Sequence, residues 1–400
     1  MHGHPLPFLI PEPSASCLDM IPPRYVAICN PDGKRWQAYA RELSDYCQQR
    51  GLVPEVEVVP WNLVVPRDGC LNGLAAFDRP AIVRLESPGR DFDVIKLLLA
   101  AGARDAGDAS TDWLALTYQK GKLIRPGLLH RGFCRVLRGL RQAFNARPHL
   151  TPLACPLAIA ELFDKNATAA RLTAAGLPCP PSLTPPSSPA ALLTDLCTRR
   201  CPTAYVKLAT GSSATGIAVV HALDDLPWAI TTMVPIDGHF FNSRRLRRVS
   251  GAELTDVLAF ILAEGACVQC GIPMAQLDGQ NFDVRVIVIH GAPAFTIFRL
   301  SSAPMTNLHL GGRRGDTALC RAAIPTRAWL DAIGHCVEAA ALYPCAVVGV
   351  DLLFERGYLH HYILEVNAFG DWFPDFTDEQ GRTVHRVEIE MTAGRLGLVE

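Results

Sequence analysis

Two stretches of this 400-residue chain combine residue types that could hold phosphate and a divalent cation. In VVGVDLLFERGYLHHYILEVNAFGDW, Asp351 stands on one apolar run, and Glu365 and Asn367 stand on the next. Glu365 and Asn367 are two apart, so they share one face of a strand. A hairpin turning near Gly357–Tyr358 brings Asp351 roughly opposite Glu365. Three oxygen-bearing side chains then converge on an otherwise apolar hairpin. Burying two carboxylates together costs roughly several kcal/mol unless a cation neutralises them. Hard oxygen ligands suit Mg2+, which binds few side chains and keeps waters or nucleotide phosphates. Solvated strand-end acids are the plainer alternative, and the apolar flanks VVGVDLLF and YILEV speak against it.

The second stretch is TAYVKLATGSSATGIAVV. Lys207 ends a strand, and a loop of small residues follows. Gly211 and Gly216 have the spacing of a Walker loop, but neither the Lys-Ser/Thr pair nor the helix comes after them. Small residues instead let backbone N–H groups approach phosphates, with the hydroxyls of Ser212, Ser213 and Thr215 at hand. Lys207 adds a point charge to the same phosphates. On these residues alone, that device and a hairpin tip with an exposed lysine weigh equally.

The elements that must position these groups follow from the pattern of the chain. Residues 1–23 are Pro-rich and patternless, which suggests a loose tail. A strand at Tyr25–Cys29, the turn NPDG, an amphipathic helix near Arg35–Arg50 and the strand VEVVPW make an α/β unit. AIVRLES and the helical VIKLLLAAG extend it, so 24–150 reads as a first α/β lobe. An ordinary capped turn suits NPDGKR better than a phosphate site, since no GxGxxG is present. LFDKNATAARLTAAG reads as a helix closing at Gly176. Beyond about 203 the chain reads as antiparallel hairpins: TAYVKLA with GIAVVHA, DVRVIVIH with AFTIFRLSS, and AVVGVDLLF with HHYILEVNAF. ELTDVLAFILAEG is a helix among them. FNSRRLRRVSG, with Arg244, Arg245, Arg247 and Arg248, reads as a solvated loop or helix face that could also grip an acidic group.

Composition narrows the function. Apolar residues make up 49% and charged residues 19%, enough to bury a large interior. Thirty-eight basic against thirty-nine acidic residues give a formal charge of −1, which excludes a globally basic nucleic-acid or membrane-surface binder. No run reaches the roughly 18–20 apolar residues of a membrane span. The N-terminus lacks the basic region of a signal peptide. Fourteen scattered cysteines fit reducing cytoplasm, as small buried hydrophobes. Cys267 and Cys270 form a CxxC and Cys197 and Cys201 a looser pair. No second CxxC completes a zinc site.

The order of these motifs resembles the ATP-grasp superfamily, most of all its RimK-type and glutathione-synthetase-like carboxylate–amine ligases, over about 155–375. The resemblance implies an α/β architecture: the Rossmann-like lobe 24–150, then a two-lobed ATP-grasp fold over 151–400 with mostly antiparallel sheets. Its nucleotide-clamping lobe would span about 160–270 and its metal-bearing lobe about 271–400. It also implies roles. Lys165 resembles the early lysine that reaches the nucleotide. Lys207 resembles the strand lysine before the phosphate-covering loop Gly211–Gly216, which includes Ser212 and Ser213. VQCGIP, with Gln269, looks like the hinge that reads adenine, with Cys270 in place of an acidic residue. Asp283 and Arg285 resemble a D-x-R pair. Arg299 looks like the arginine near the transferred phosphoryl group. TNLHLGG puts Asn307 near phosphate or substrate. Asp351, Glu365 and Asn367 match the magnesium set, and Asp371 and Trp372 replace the commoner N-x-x-P-G ending.

The cofactors implied are ATP and Mg2+, with Mn2+ an alternative. The partners are a small-molecule or peptide carboxylate and an amine acceptor, with no nucleic acid and no membrane; a homodimer stays open. The leading expectation is a cytoplasmic ligase that forms an acyl phosphate and joins it to an amine. The competing expectations are a ligase that modifies peptides and a nucleotide-binding protein without turnover.

Overall fold

A computed structural model describes residues 24–65, 75–89, 91–211, 214–370, 373–374 and 376–397. The expected mixed α/β architecture is present, built on three sheets. The first sheet is parallel, in the order β2-β1-β3-β4, from β1 (Arg24–Cys29), β2 (Glu55–Pro60), β3 (Ala81–Leu85) and β4 (Leu150–Pro152). β1 and β3 are buried on both faces, as interior parallel strands are, with Arg84 of β3 the charged exception. Helices α1 (Lys34–Gln48), α2 (Trp61–Val64), α3 (Phe92–Ala106) and α4 (Pro126–Asn145) connect the strands. α3 starts at the Asp91 cap, whose carboxylate accepts from the amides of Asp93 and Val94, and ends at Gly107 with φ 70°. α3 and α4 cross at Gly102 and Gly132. A Cβ added at Gly132 would lie 1.8 Å from the Leu98 carbonyl oxygen, so only glycine permits this approach.

The chain from 161 onward is not one helix. α5 (Pro156–Leu162) stops, and α6 (Lys165–Ala174) starts afresh because the Asp164 side chain caps the amides of Asn166 and Ala167 at 2.9 and 3.2 Å. Ile159, Leu162 and Leu172 of these helices share a core with the first and third sheets.

The second sheet runs β5-β10-β6-β7-β8-β9, from β5 (Ser182–Leu183), β6 (Thr203–Leu208), β7 (Ile217–His221), β8 (Trp228–Ile236), β9 (His239–Ser250) and β10 (Ala266–Cys270). With α7 (Pro189–Thr198) and α8 (Gly251–Ala263) it closes a core of its own. The arginine-rich segment is neither loop nor helix. It is the edge strand β9, paired with β8, where Arg247 meets Glu253 and Arg248 lies 4.0 Å over the Trp228 ring. Charged side chains on a free edge discourage pairing with other chains.

The third sheet runs β14-β13-β12-β15-β16, with β11 (Gln276–Leu277) pairing β12 (Gln280–Ile289) at the side. Its other strands are β13 (Ala292–Ser301), β14 (Arg313–Arg314), β15 (Val347–Phe354) and β16 (His361–Ala368). Val284, Val286, Val350 and Val366 face a core shared with α10 (Thr326–Ala341). On the opposite face, Ile287, Ile289 and Ile297 lie under α1 and α11 (Val384–Arg395); the short α9 (Thr317–Ala322) follows β14. No helix among the described residues is long and apolar enough to cross a membrane.

Candidate active site

A cleft of about 600 Å3 lies between the second sheet and the joined first and third sheets. The two sides touch through a small cluster of Ile217, Val219 and Met305, and through Tyr205, whose hydroxyl donates to the Pro304 carbonyl at 2.8 Å. Pro180, Ile217, Ile272, Met274, Met305 and Leu353 give the lining apolar surface. Charged side chains line it as well.

On the third sheet, β12 alternates strictly. Val284 and Val286 point into the core, so Asp283 and Arg285 point into the cleft. Register places Asp283 opposite Arg299 on β13 and Arg285 opposite Asp351 on β15. Asp351 in turn lies opposite Glu365, and Gly349 lies opposite Asn367. A bulge is essential here. Beyond it Leu352 pairs with Ile363, so Leu364 is an extra residue on β16. Were Leu364 paired in regular register instead of bulged, Glu365 and Asn367 would turn to the core face. The pattern of β16 carries the signal: Ile363 and Val366 are both buried, yet three apart.

The charges are already balanced within the chain. Arg285 holds Asp351 through Nε to Oδ1 and through Nη2 to Oδ2 at 3.1 Å, and Arg299 Nη2 lies 3.0 Å from Asp351 Oδ1. Arg299 is itself oriented by Asp283, with Nε donating to Oδ1 at 2.8 Å. Burial alone would raise the Asp351 carboxyl, but Arg285 and Arg299 outweigh it and hold it at about 2. Lys165 Nζ sits 3.0 Å from Glu365 Oε1 and also donates to the Gly211 carbonyl. The neutralising positive charge comes from within the chain: two arginines and a lysine lie against these carboxylates. Gly349 makes room for this, since a Cβ there would lie 3.1 Å from Arg285 Cδ.

Across the cleft, Lys207 and Gln269 come from paired strands, and Lys207 Nζ donates to Gln269 Oε1 at 2.7 Å. Burial pushes the Lys207 ammonium pKa down. Asn307 begins the turn that returns through Gly311 and Gly312. The Gly312 amide donates to the Asn307 carbonyl at 3.3 Å, and a Cβ at Gly312 would sit 2.5 Å from the Thr306 oxygen.

The cleft thus gathers Lys165, Lys207, Gly211, Gln269, Arg285, Arg299, Asn307, Asp351, Glu365 and Asn367. Gly216 does not line it. This glycine has φ 64°, and its amide donates to Asn242 Oδ1 at 3.3 Å, so it shapes the loop from behind. Ser212, Ser213, Asp371 and Trp372 lie outside the described residues. Sequence reasoning missed Tyr205, Arg35, Ser87 and Arg314, which also line the cleft. Only Tyr205 left a signal, as the alternate neighbour of Lys207 on β6.

Asp351, Glu365 and Asn367 offer two carboxylates and an amide, oxygen donors throughout. Asn367 Nδ2 is turned toward the Gly349 carbonyl at 3.4 Å, which keeps Oδ1 out of that contact. This donor set fits Mg2+. Among the described residues no group of three or more His, Cys, Asp or Glu could hold a metal, and Cys267 is fully buried on β10.

No protein-family model matches the chain, and no curated protein matches it. Solved structures do. D-cycloserine synthetase DcsG is 15% identical with a TM-score of 0.51, over 93% of this chain and 99% of that one. The macrocyclase MdnC of Microcystis aeruginosa MRC, solved with the precursor peptide MdnA, is 9% identical with a TM-score of 0.50, over 93% and 99%. The ATP-grasp ligase PsnB, solved with a minimal precursor, Mg and ADP, is 17% identical with a TM-score of 0.49, over 93% and 97%. With the three-sheet layout and the opposed carboxylates between them, the chain has the ATP-grasp fold.

Proposed function

We propose that the protein is an ATP-dependent ligase that activates a substrate carboxylate and joins it to an amine, releasing ADP and phosphate. One observation carries this reading: Asp351 directly opposite Glu365, with Asn367 beside them, in one cleft with Lys165, Lys207, Arg285 and Arg299. The apolar surface beside Cys270 and Ile272 suits adenine. Lys165, Lys207 and the Gly211–Gly216 loop suit the phosphates. Asp351, Glu365 and Asn367 would hold Mg2+, or Mn2+ on the same oxygens, which supplies positive charge against the phosphates when bound. A substrate carboxylate oxygen bonds to the γ-phosphorus as the bond to ADP breaks. Arg285 and Arg299, fixed by their own carboxylates, then meet the negative charge on the transferred group. The amine attacks the acyl carbon, loses its proton, and phosphate leaves. Keeping water out of the cleft would protect the acyl phosphate.

The test is ADP release from ATP and Mg2+ with pooled carboxylates and amines. Release that requires both partners is expected. Nucleotide binding with no ADP under any mixture would leave a binding protein instead. Arg244 and Arg245 stay exposed on β9, which favours trying acidic peptides among the carboxylates.

A further inference from the structure

The first-sheet wall of the cleft carries charge that phosphoryl transfer does not use. Arg35, in the first turn of α1, and Ser87, just beyond β3, both line the cleft. Behind them a file of alternating charges runs inward. Arg35 Nε lies 2.9 Å from Glu86 Oε2, and Arg84 Nε donates to Glu86 Oε1 at 2.7 Å. Arg84 also pairs with Glu388 on α11, and His385 Nδ1 is 3.6 Å from Glu388 Oε2. Arg84, Glu86, Glu388 and His385 are all buried, and Arg35 is the member of the file that opens on the cleft, with 24% of its side chain exposed. Its Nη nitrogens donate no hydrogen bond to any described residue. Ser87 Oγ accepts from the Gly89 amide at 3.2 Å, which leaves its proton free to donate. The guanidinium is thus ion-paired with a buried carboxylate, though Nε makes no hydrogen bond to it, while the side chain lines the cleft. Such a fork matches a carboxylate in two parallel bonds, and its buried support fixes the orientation beforehand.

We propose that Arg35, with the Ser87 hydroxyl, anchors a carboxylate that is not the one activated. One of the two molecules joined is then an amino acid, or a dicarboxylic acid. This rests on the ligase reading and narrows its substrates. A nucleotide phosphate is the poorer occupant, because Lys207 and Gly211 belong to the second sheet and its loop, whereas Arg35 and Ser87 come from the first.

The test is ligand-observed NMR on the full chain with ADP and Mg2+. The probes are free α-amino acids, succinate and glutarate, each beside its carboxamide. At least one acid should bind, at least tenfold tighter than its amide. An amino acid that binds identifies the first source and a dicarboxylate the second. Arg35→Ala should weaken that binding tenfold or more. Arg35→Lys, which keeps the charge against Glu86 but loses the fork, should weaken it several-fold. ADP affinity should stay unchanged in both. If no acid binds, if acid and amide bind alike, or if either folded variant binds as the parent does, the anchor is wrong. Failure of the parent chain to bind ADP would instead strike the ligase reading.

Discussion

Asp351 and Glu365 share one proposed role but occupy different surroundings, so their isosteric substitutions should separate stability from chemistry. Asp351 is 7% exposed and lies between Arg285 and Arg299, 8% and 6% exposed. Asp351→Asn removes the carboxylate from between two buried guanidinium groups and leaves one more positive charge in the interior. Breaking a buried pair from one side costs roughly 3–5 kcal/mol, a large part of the roughly 5–15 kcal/mol that holds a typical protein folded. The Glu365 side chain is 26% exposed, with one ion-pair contact at 3.0 Å to Lys165. Glu365→Gln should therefore cost only about 1 kcal/mol. The two variants should differ by roughly 2–4 kcal/mol in urea unfolding, read by circular dichroism and fluorescence at neutral pH. ADP formation should fall by orders of magnitude in both. Equal unfolding midpoints would refute the burial argument. A stable, fully active Glu365→Gln would remove Glu365 from the reaction.

Gly132→Ala should prevent folding or destabilise severely, because its Cβ would fall 1.8 Å from the Leu98 oxygen, whereas Gly394→Ala, with open space around it on α11, should stay close to the parent in thermal melts. Stability should drop in acid. Burial opposes it, but arginine partners hold Asp351 and Glu388 each at about 2. Their contribution, roughly 2–3 kcal/mol each, is full above about pH 4.5 and is lost as pH falls toward 2, which unfolding midpoints across that range would show. Lys207→Ala should weaken ATP binding at least tenfold by calorimetry. Because burial lowers the Lys207 pKa, affinity in the parent chain should also fall with rising pH before an ordinary lysine titrates.

The candidate site was legible in the chain wherever it depends on side-chain type and local period. Lys207 at a strand end, the D-x-R of β12, and Glu365 and Asn367 two apart can all be read without coordinates. So can the hairpins, since alternation sets which residues share a face. The edge strand β9 was not legible, because consecutive arginines look alike in a solvated loop and on an exposed strand. The helix break before Lys165 also hid, since Asp164 is a cap only once the backbone offers it two free amides.

Long-range packing decided the remainder. The bulge at Leu364 keeps Glu365 facing Asp351 while Ile363 and Val366, three apart, both reach the core. Arg285 and Arg299 neutralise Asp351 from strands more than fifty residues away, so the balance of charge is invisible until the sheet forms. The file of charges behind Arg35 likewise forms only when α11 brings Glu388 against Arg84. Side-chain identity is local information, whereas electrostatic compensation belongs to whichever groups the fold brings within a few ångströms.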